Sequence, residues 1–486
     1  MNRRHLLSAA AGFGAAVFTP EIIHAAAAGQ AGWTLGVADV EADVAPHAMR
    51  LVHGRAPADL SGVLYRNGPA KFHRPGGSVG HWFDGDGLMR RYQIADGKAS
   101  MAARFADTVK RRADTKANAV VSAGFGTKGR ADAALTGPDD VNGANISVMM
   151  AGKDLWALWE AGSPTALDPE TLATRGFHTF RDDLKGMPFL AHPRFETDGR
   201  VWNLGVSGSQ AVVWQLAADG GLTAVTPVLL PQASYVHDFT ATERHLVIVL
   251  QPWVMGTFVT PILDSYSWKP EQGTKILVLD KSDLSKRRVY DLPGFSFFHM
   301  GDAWEDAMGA ISFDICTTPT PAFAIQGAKD LIAGRRVQGG APPSLDLITL
   351  SLDGKARREA SGLSLEFPRT DARFAGRARS LSAGLGGAKD DNPLFQTVNT
   401  HNWKTGRTDR YDFGSRHMAE EVVFTARPGG SDEFDGWLIG TSINLDAKAT
   451  ELHVFDARHV SAGPLCTWRA DVALPMSLHG TFVRGV

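Results

Sequence analysis

Beyond Gln30 the chain is built from short runs of apolar or alternating residues, cut at close intervals by Gly, Pro, Asn and Asp-Gly pairs. Examples are Gly62–Arg66, Leu88–Ile94, Leu155–Trp159, Lys275–Leu279, Leu345–Leu350, Gly436–Gly440 and Glu451–Phe455. Such runs are rich in Val, Ile, Leu and aromatics and too short for buried helices, so they predict strands. The Asp-Gly pairs at 84–85, 86–87, 198–199, 219–220, 353–354 and 435–436 predict hairpin turns between them. Amphipathic helical patterning is scarce, and residues 102–120 and 322–340 are the expected helical or loop excursions. Many short strands with no linker predict one all-β unit, a sandwich, a barrel or a propeller. Cut into seven, it gives roughly 66 residues per unit, slightly more than a four-stranded blade needs.

One stretch breaks this texture. Residues 251–268 are apolar and aromatic with little alternation, and contain Pro252 and Pro261. They read equally as a buried crossing loop, as a lid over a ligand tunnel, or as a patch for peripheral membrane contact. The N-terminus is a different case. Arg3-Arg4 precedes a mildly apolar Ala/Gly-rich run to Phe18, followed by Ala25–Ala28. This predicts a twin-arginine signal over residues 1–27, leaving a single domain over 28–486 and a periplasmic or secreted location. Retained in the cytoplasm, the same stretch is only a basic, Ala-rich start.

Composition narrows the function. A net charge of −2 over 486 residues, with no charged tail, excludes an electrostatic nucleic-acid binder. Two cysteines, Cys316 and Cys466, are too few for a disulfide framework or a thiolate zinc site. Histidine carries the candidate chemistry. His192, His237, His299 and His479 each follow an apolar residue beside a turn or a short apolar run. Dozens of residues or more separate them, so only a fold that returns to a common axis brings them together. Alone, each is read as a core imidazole bonded to backbone. As four, they are a candidate metal set, and neutral nitrogen donors suit Zn, Cu, Fe or Ni. Ligating imidazoles need an acceptor on the second ring nitrogen. Glu160, Glu366 and Glu421 stand in apolar or strand contexts and are candidates for it, although each alone reads as a rim carboxylate. His81, in His81-Trp-Phe-Asp-Gly-Asp-Gly87, reads as a turn-stabilising side chain, and His245 and His417 as structural or surface residues.

The order of several motifs carries more. Gly62-Val-Leu-Tyr-Arg-Asn-Gly-Pro69, His81–Gly87, Leu158-Trp-Glu-Ala-Gly162, Ala191-His-Pro193, His237-Asp-Phe239, Phe298-His299, Glu366-Phe-Pro368 and His479-Gly-Thr-Phe482 follow one another along nearly the whole chain. In this the chain resembles the carotenoid cleavage oxygenases. The resemblance implies a seven-bladed β-propeller with an apolar cap, and iron(II) held by His192, His237, His299 and His479. It implies Glu160, Glu366 and Glu421 as outer anions behind the imidazoles, Glu421 standing next to Glu420. The implied reaction is cleavage of a conjugated alkene by dioxygen, with an apocarotenoid or carotenoid as substrate. Alternatives are a stilbene or phenylpropenoid substrate, a non-catalytic propeller binding an apolar ligand, and an isomerase or hydrolase on the same site. There are departures. Asp302 stands where the family often has Asn. Ile146 stands where it has a Thr beside the open metal position. The lysine and tyrosine with which stilbene-cleaving relatives grip a phenol map to Asn142 and to residues 101–105, which hold neither.

Overall fold

The computed structural model describes residues 32–130, 136–337, 340–387 and 393–485. The expected signal, residues 1–27, lies outside them. Five four-stranded antiparallel sheets, each a meander in chain order, and one nine-stranded sheet make up the body. The sheets are built from strands within 147–177, 194–229, 240–292, 296–364 and 366–412. The nine-stranded sheet joins His417–Ala426, Gly436–Asn444, Ala449–Asp456 and Pro464–Arg469 to Val44–Gly54, and continues through Lys98–Phe105, Leu88–Ala95 and Gly62–Arg66 to Gly480–Val483. The two ends of the described chain are therefore stitched into one sheet. Thr240–Ala241, Ser296–Glu305, Glu366–Arg369, His417–Ala426, Gly480–Val483 and Ser147–Ala151 touch one after another. They form an inner ring, and the architecture is an all-β, propeller-like fold.

The sequence pattern explains the packing. His245–Leu250 is buried from Leu246 onward because its sheet is covered on both faces. Leu246, Ile248 and Leu250 pack with Leu204 and Val213 of the preceding sheet. Val247 and Val249 point the other way, into a cluster with Phe313 and Ile315 of the following one. Each fully buried Leu, Ile or Val of this kind contributes roughly 1.5–3 kcal/mol. Outermost strands such as Leu222–Leu229 and Asp283–Leu292 lose the second cover and expose alternate residues.

Several expectations change on contact with the fold. Within 102–120 only Val109–Ala117 is helical, and the preceding residues finish the strand Lys98–Phe105. Within 322–340 a wide turn, Phe323–Gly327, leads into the short helix Ala328–Ile332. Of the six Asp-Gly pairs, only Gly199, Gly220 and Gly354 take the positive φ of a tight turn. Gly85 instead caps a short helical turn with φ −63. Gly87 and Gly436 are required by close approach: a Cβ would lie 2.2 Å from the Ala144 and Thr425 carbonyl oxygens respectively. Residues 251–268 form a hairpin, Trp253–Met255 against Tyr266–Trp268, with a buried base and an exposed tip at Phe258 and Val259. Cys316 and Cys466 are both buried and free.

The His81–Gly87 motif is a structural knot. His81 Nδ1 accepts from the Phe83 N–H at 3.1 Å, and Nε2 donates to the Ala324 carbonyl at 2.8 Å. Asp84 accepts from Phe125 N, Gly126 N and Thr127 Oγ1, which pins the loop carrying Phe125. Asp86 is buried among Lys110, Arg74 and Arg111.

Candidate metal centre

The four distant histidines meet. One ring nitrogen from each of His192, His237, His299 and His479 lies within 4.8 Å of the others. His192 sits just before Arg194–Phe195 and His237 just before Thr240–Ala241. His299 is inside Ser296–Glu305, and His479 immediately precedes Gly480–Val483. The local geometry rests on irregular pairing. Register slips between Phe297 and Met300, between Glu366 and Arg369, and between Ala419 and Val422. Each slip inserts unpaired residues at a functional position, and a bulge of this kind re-aims a side chain. Phe367, in the second of them, has φ 54 and stacks on His299 with ring centroids 4.7 Å apart.

Three imidazoles are backed by carboxylates. His237 Nδ1 donates to Glu160 Oε2 at 2.6 Å, His299 Nδ1 to Glu366 Oε2 at 2.6 Å, and His479 Nδ1 to Glu421 Oε1 at 2.9 Å. Glu420, the neighbour of Glu421, turns elsewhere and accepts from the Ser477 hydroxyl. With the Nδ1 protons so committed, the Nε2 lone pairs of His237, His299 and His479 face the centre. His192 Nε2 lies 3.1 Å from His237 Nε2, and the buried His299 Nε2 has no hydrogen-bond partner among the described residues. Converging lone pairs of this kind are what a metal cation would satisfy, so the donor set fits one. Burial pushes His192 far below the usual imidazole range, and takes His479 down to about 3 despite Glu421. At His299 burial opposes the charge, but Glu366 outweighs it and raises the value.

The carboxylates are held in turn. Tyr235 donates its hydroxyl to Glu160 Oε1 at 2.8 Å. The Phe367 N–H donates to Glu366 at 2.8 Å. Glu421 receives the Gly480 N–H at 2.8 Å and Arg369 Nε at 2.9 Å, with Arg66 4.0 Å away. At Glu421 burial works against ionisation, and Arg369 with His479 overcomes it, holding the carboxyl at about 2. Tyr235, Arg66 and Arg369 were not singled out in the sequence. Tyr235 was legible as the hydroxyl two residues before His237, and Arg369 as a cation on the strand of Glu366.

Three of the four imidazoles, those of His237, His299 and His479, line a cavity of about 560 Å³. Its wall includes Phe83, Phe125, Trp159, Ile262, Tyr266, Phe298, Phe323 and Phe395, with His237, His299, His479 and all three glutamates. Ile146 lines it, and its carbonyl accepts from the His479 N–H at 3.3 Å. Asn142 does not line it; its amide donates to the Ser163 carbonyl. Residues 101–105 lie in a sheet, with Met101, Ala103 and Phe105 in its core, so the tyrosines that do reach the cavity are Tyr235 and Tyr266. A larger open cleft of about 910 Å³ is lined by many charged residues, among them Lys281 and Arg244, which pair with Glu196 and Glu305. It contains none of the four histidines, so the enclosed aromatic cavity is the candidate site. Glu305 also accepts from His245 and stays apart from the centre, and His417 pairs with Glu451.

Four converging imidazoles beside an aromatic cavity, in a propeller-like all-β fold, define a protein with a candidate metal centre next to a largely apolar pocket. Residues 37–484 match the family described as Retinal pigment epithelial membrane protein, and the chain belongs to it, the carotenoid cleavage oxygenases. It is 27% identical to the apocarotenoid-15,15'-oxygenase of Synechocystis sp., over 89% of this chain and 92% of that one. It is 26% identical to resveratrol cleavage oxygenase 1 of Aspergillus fumigatus, again over 89% and 92%. A solved structure of a Synechocystis apocarotenoid oxygenase mutant superposes with a TM-score of 0.84 at 23% identity, covering 93% of this chain and 98% of the other.

Proposed function

We propose that this chain is an iron(II)-dependent dioxygenase that cleaves a conjugated carbon–carbon double bond of an apocarotenoid or carotenoid to two carbonyl products. The observation that carries the reading is the convergence of four imidazole nitrogens, three of whose rings line an aromatic cavity. Charge balance supports a divalent ion. Glu421 has Arg369 and Arg66 for company, whereas Glu160 and Glu366 have imidazole, hydroxyl or backbone donors and no ion pair with arginine or lysine among the described residues. Two carboxylates largely shielded from water, Glu366 buried and Glu160 half-buried, are costly without a cation, and two positive charges at the imidazoles would answer them. His192, His237, His299 and His479 would hold the ion.

When bound, iron(II) supplies the chemistry with dioxygen. The protein's own work is positional. Glu160, Glu366 and Glu421 hold protons at Nδ1 so that Nε2 stays available. The aromatic wall takes an extended apolar alkene and excludes water. Ile146 crowds one approach to the imidazoles, which restricts where a substrate carbon sits.

Finer expectations belong to the same proposal. The nine-stranded sheet divides at Val44–Gly54 into two blade equivalents, which with the five four-stranded sheets would make seven. The basic, Ala-rich start would direct export to the periplasm or beyond. The exposed Phe258 and Val259, at the tip of a hairpin whose segment lends Ile262 and Tyr266 to the cavity, would rest on a membrane surface. A second reading, cleavage of a stilbene or phenylpropenoid, is supported by the equal coverage of the resveratrol-cleaving relative. The engagement of Asn142 with Ser163 counts against a phenol grip there. The test is to incubate iron-loaded protein in air with a panel of apocarotenoids and hydroxystilbenes and identify products by mass. Paired carbonyl fragments from a polyene support the first reading, and fragments from stilbenes alone move the assignment to the second. Bound iron and bound ligand without product would leave a ligand-binding propeller.

A further inference from the structure

A belt of charged hydrogen bonds runs beside the four imidazoles on groups that do not line the cavity. Arg194 lies two residues beyond His192. Its Nε donates to the Phe239 carbonyl at 2.5 Å, and Nη2 to Asp238 Oδ1 at 2.6 Å and the Met300 carbonyl at 3.1 Å. Nη1 reaches Asp302 Oδ1 at 3.2 Å. Asp238 follows His237, and its other oxygen accepts the N–H of Met300, which follows His299, at 2.9 Å. The second oxygen of Asp302 accepts from Thr370 at 2.5 Å. Thr370 adjoins Arg369, which donates to Glu421 and to the Gly480 carbonyl, next to His479. One guanidinium thus touches the segments of three imidazoles directly and reaches the fourth through Asp302. Asp302, the departure from the family's Asn, gives this guanidinium a second carboxylate.

We infer that Arg194 is a positioning residue for the metal-binding imidazoles: it presets their spacing before an ion arrives. This rests on the metal reading above. The planar fork supplies donors in fixed directions to four acceptors at once, which an ammonium cannot reproduce. Without it, Asp238 and Asp302 lose the cation they share, and the segments bearing His192, His237 and His299 lose their common anchor. Ordering the ligands would then fall to the ion, at the expense of affinity.

The test compares wild type, Arg194→Met, Arg194→Lys and Asp302→Asn. Lys110→Met serves as a control that removes a buried ion pair with no contact to the belt. Each apoprotein is titrated with Co(II) against a chelator, at a temperature where circular dichroism shows it folded, and the Co(II) absorption spectrum is recorded. Arg194→Met is expected to bind roughly tenfold or more weakly, with an altered spectrum, and Arg194→Lys to fall between it and wild type. Lys110→Met is expected to melt earlier but bind as wild type does. Wild-type affinity and spectrum in Arg194→Met overturn the proposal. If that variant does not fold, Asp302→Asn decides, with weaker binding supporting the role and unchanged binding overturning it. A wild-type protein that binds no divalent metal overturns the metal reading and the proposal with it, whereas equal binding by wild type and Arg194→Met overturns the proposal alone.

Discussion

Glu160→Gln is the most informative single change at the centre, because it keeps the shape and removes one acceptor. Glu160 now takes two donors, the Tyr235 hydroxyl on one oxygen and His237 Nδ1 on the other. A glutamine offers one acceptor oxygen and one donating NH₂. If the NH₂ faces His237, the imidazole must carry its proton on Nε2 and is lost as a ligand. If it faces Tyr235, the hydroxyl rotates to accept, and His237 keeps a neutral acceptor in place of a carboxylate. The second arrangement is cheaper, and it loses the charge assistance of one hydrogen bond, about 1–1.5 kcal/mol. That alone is about tenfold in affinity. The missing negative charge facing a divalent ion adds to it, so metal affinity and turnover are expected to fall roughly 10–100-fold. Chelator competition and product formation at fixed metal measure the two effects separately. Tyr235→Phe leaves the His237–Glu160 bond in place and should cost only a few-fold. In the double variant the amide is free to serve His237 alone, so the two losses should combine less than additively. Unchanged affinity and rate in Glu160→Gln would refute the role given to the carboxylate.

Three further outcomes are expected. His237→Ala should fold, as judged by circular dichroism, and purify without bound iron or activity; full metal occupancy would remove His237 from the ligand set. Burial raises the Asp86 carboxyl, but Lys110, Arg74 and Arg111 outweigh it and hold the value at about 2, below the ordinary 3.8. A depressed carboxyl stabilises the fold above its unfolded value and loses that contribution as pH falls, here about 2 kcal/mol between roughly pH 4 and pH 2. Asp86→Asn should flatten that limb of the urea stability profile and cost about 3–5 kcal/mol at pH 7; an unaltered acid limb would contradict the assignment. His81→Ala should lower stability by about 2–4 kcal/mol through two lost hydrogen bonds, while folded protein keeps wild-type metal affinity; a selective loss of metal would make His81 more than a cap.

Strand content was legible because every sheet must bury at least one face, and alternation or continuous apolarity records how many. His245–Leu250, continuously apolar from Leu246, is a strand covered on both faces. The four histidines were recognisable as a set through the order of the motifs around them. Their convergence is a property of the ring, which no local pattern encodes. The bulges at Phe298–His299 and Glu420–Glu421 were invisible for a plainer reason. A bulge is a mismatch between two strands, and one strand's sequence does not say where its partner slips. Asp-Gly misled at Gly87 and Gly436 because glycine serves close approach as well as reversal. Tyr235 and Arg369 were missed because each supports a ligand through a carboxylate supplied from elsewhere in the chain.

The strand that carries His479 into place pairs with Gly62–Arg66, so one of the four imidazoles depends on a contact spanning most of the polypeptide. Closing so long a loop is entropically late work. Any nascent or truncated chain that stops short of His479 presents three imidazoles and an incomplete inner ring. Metal acquisition would thereby be coupled to closure of this seam, and an ion held by all four nitrogens would act as a latch where the two ends of the fold meet.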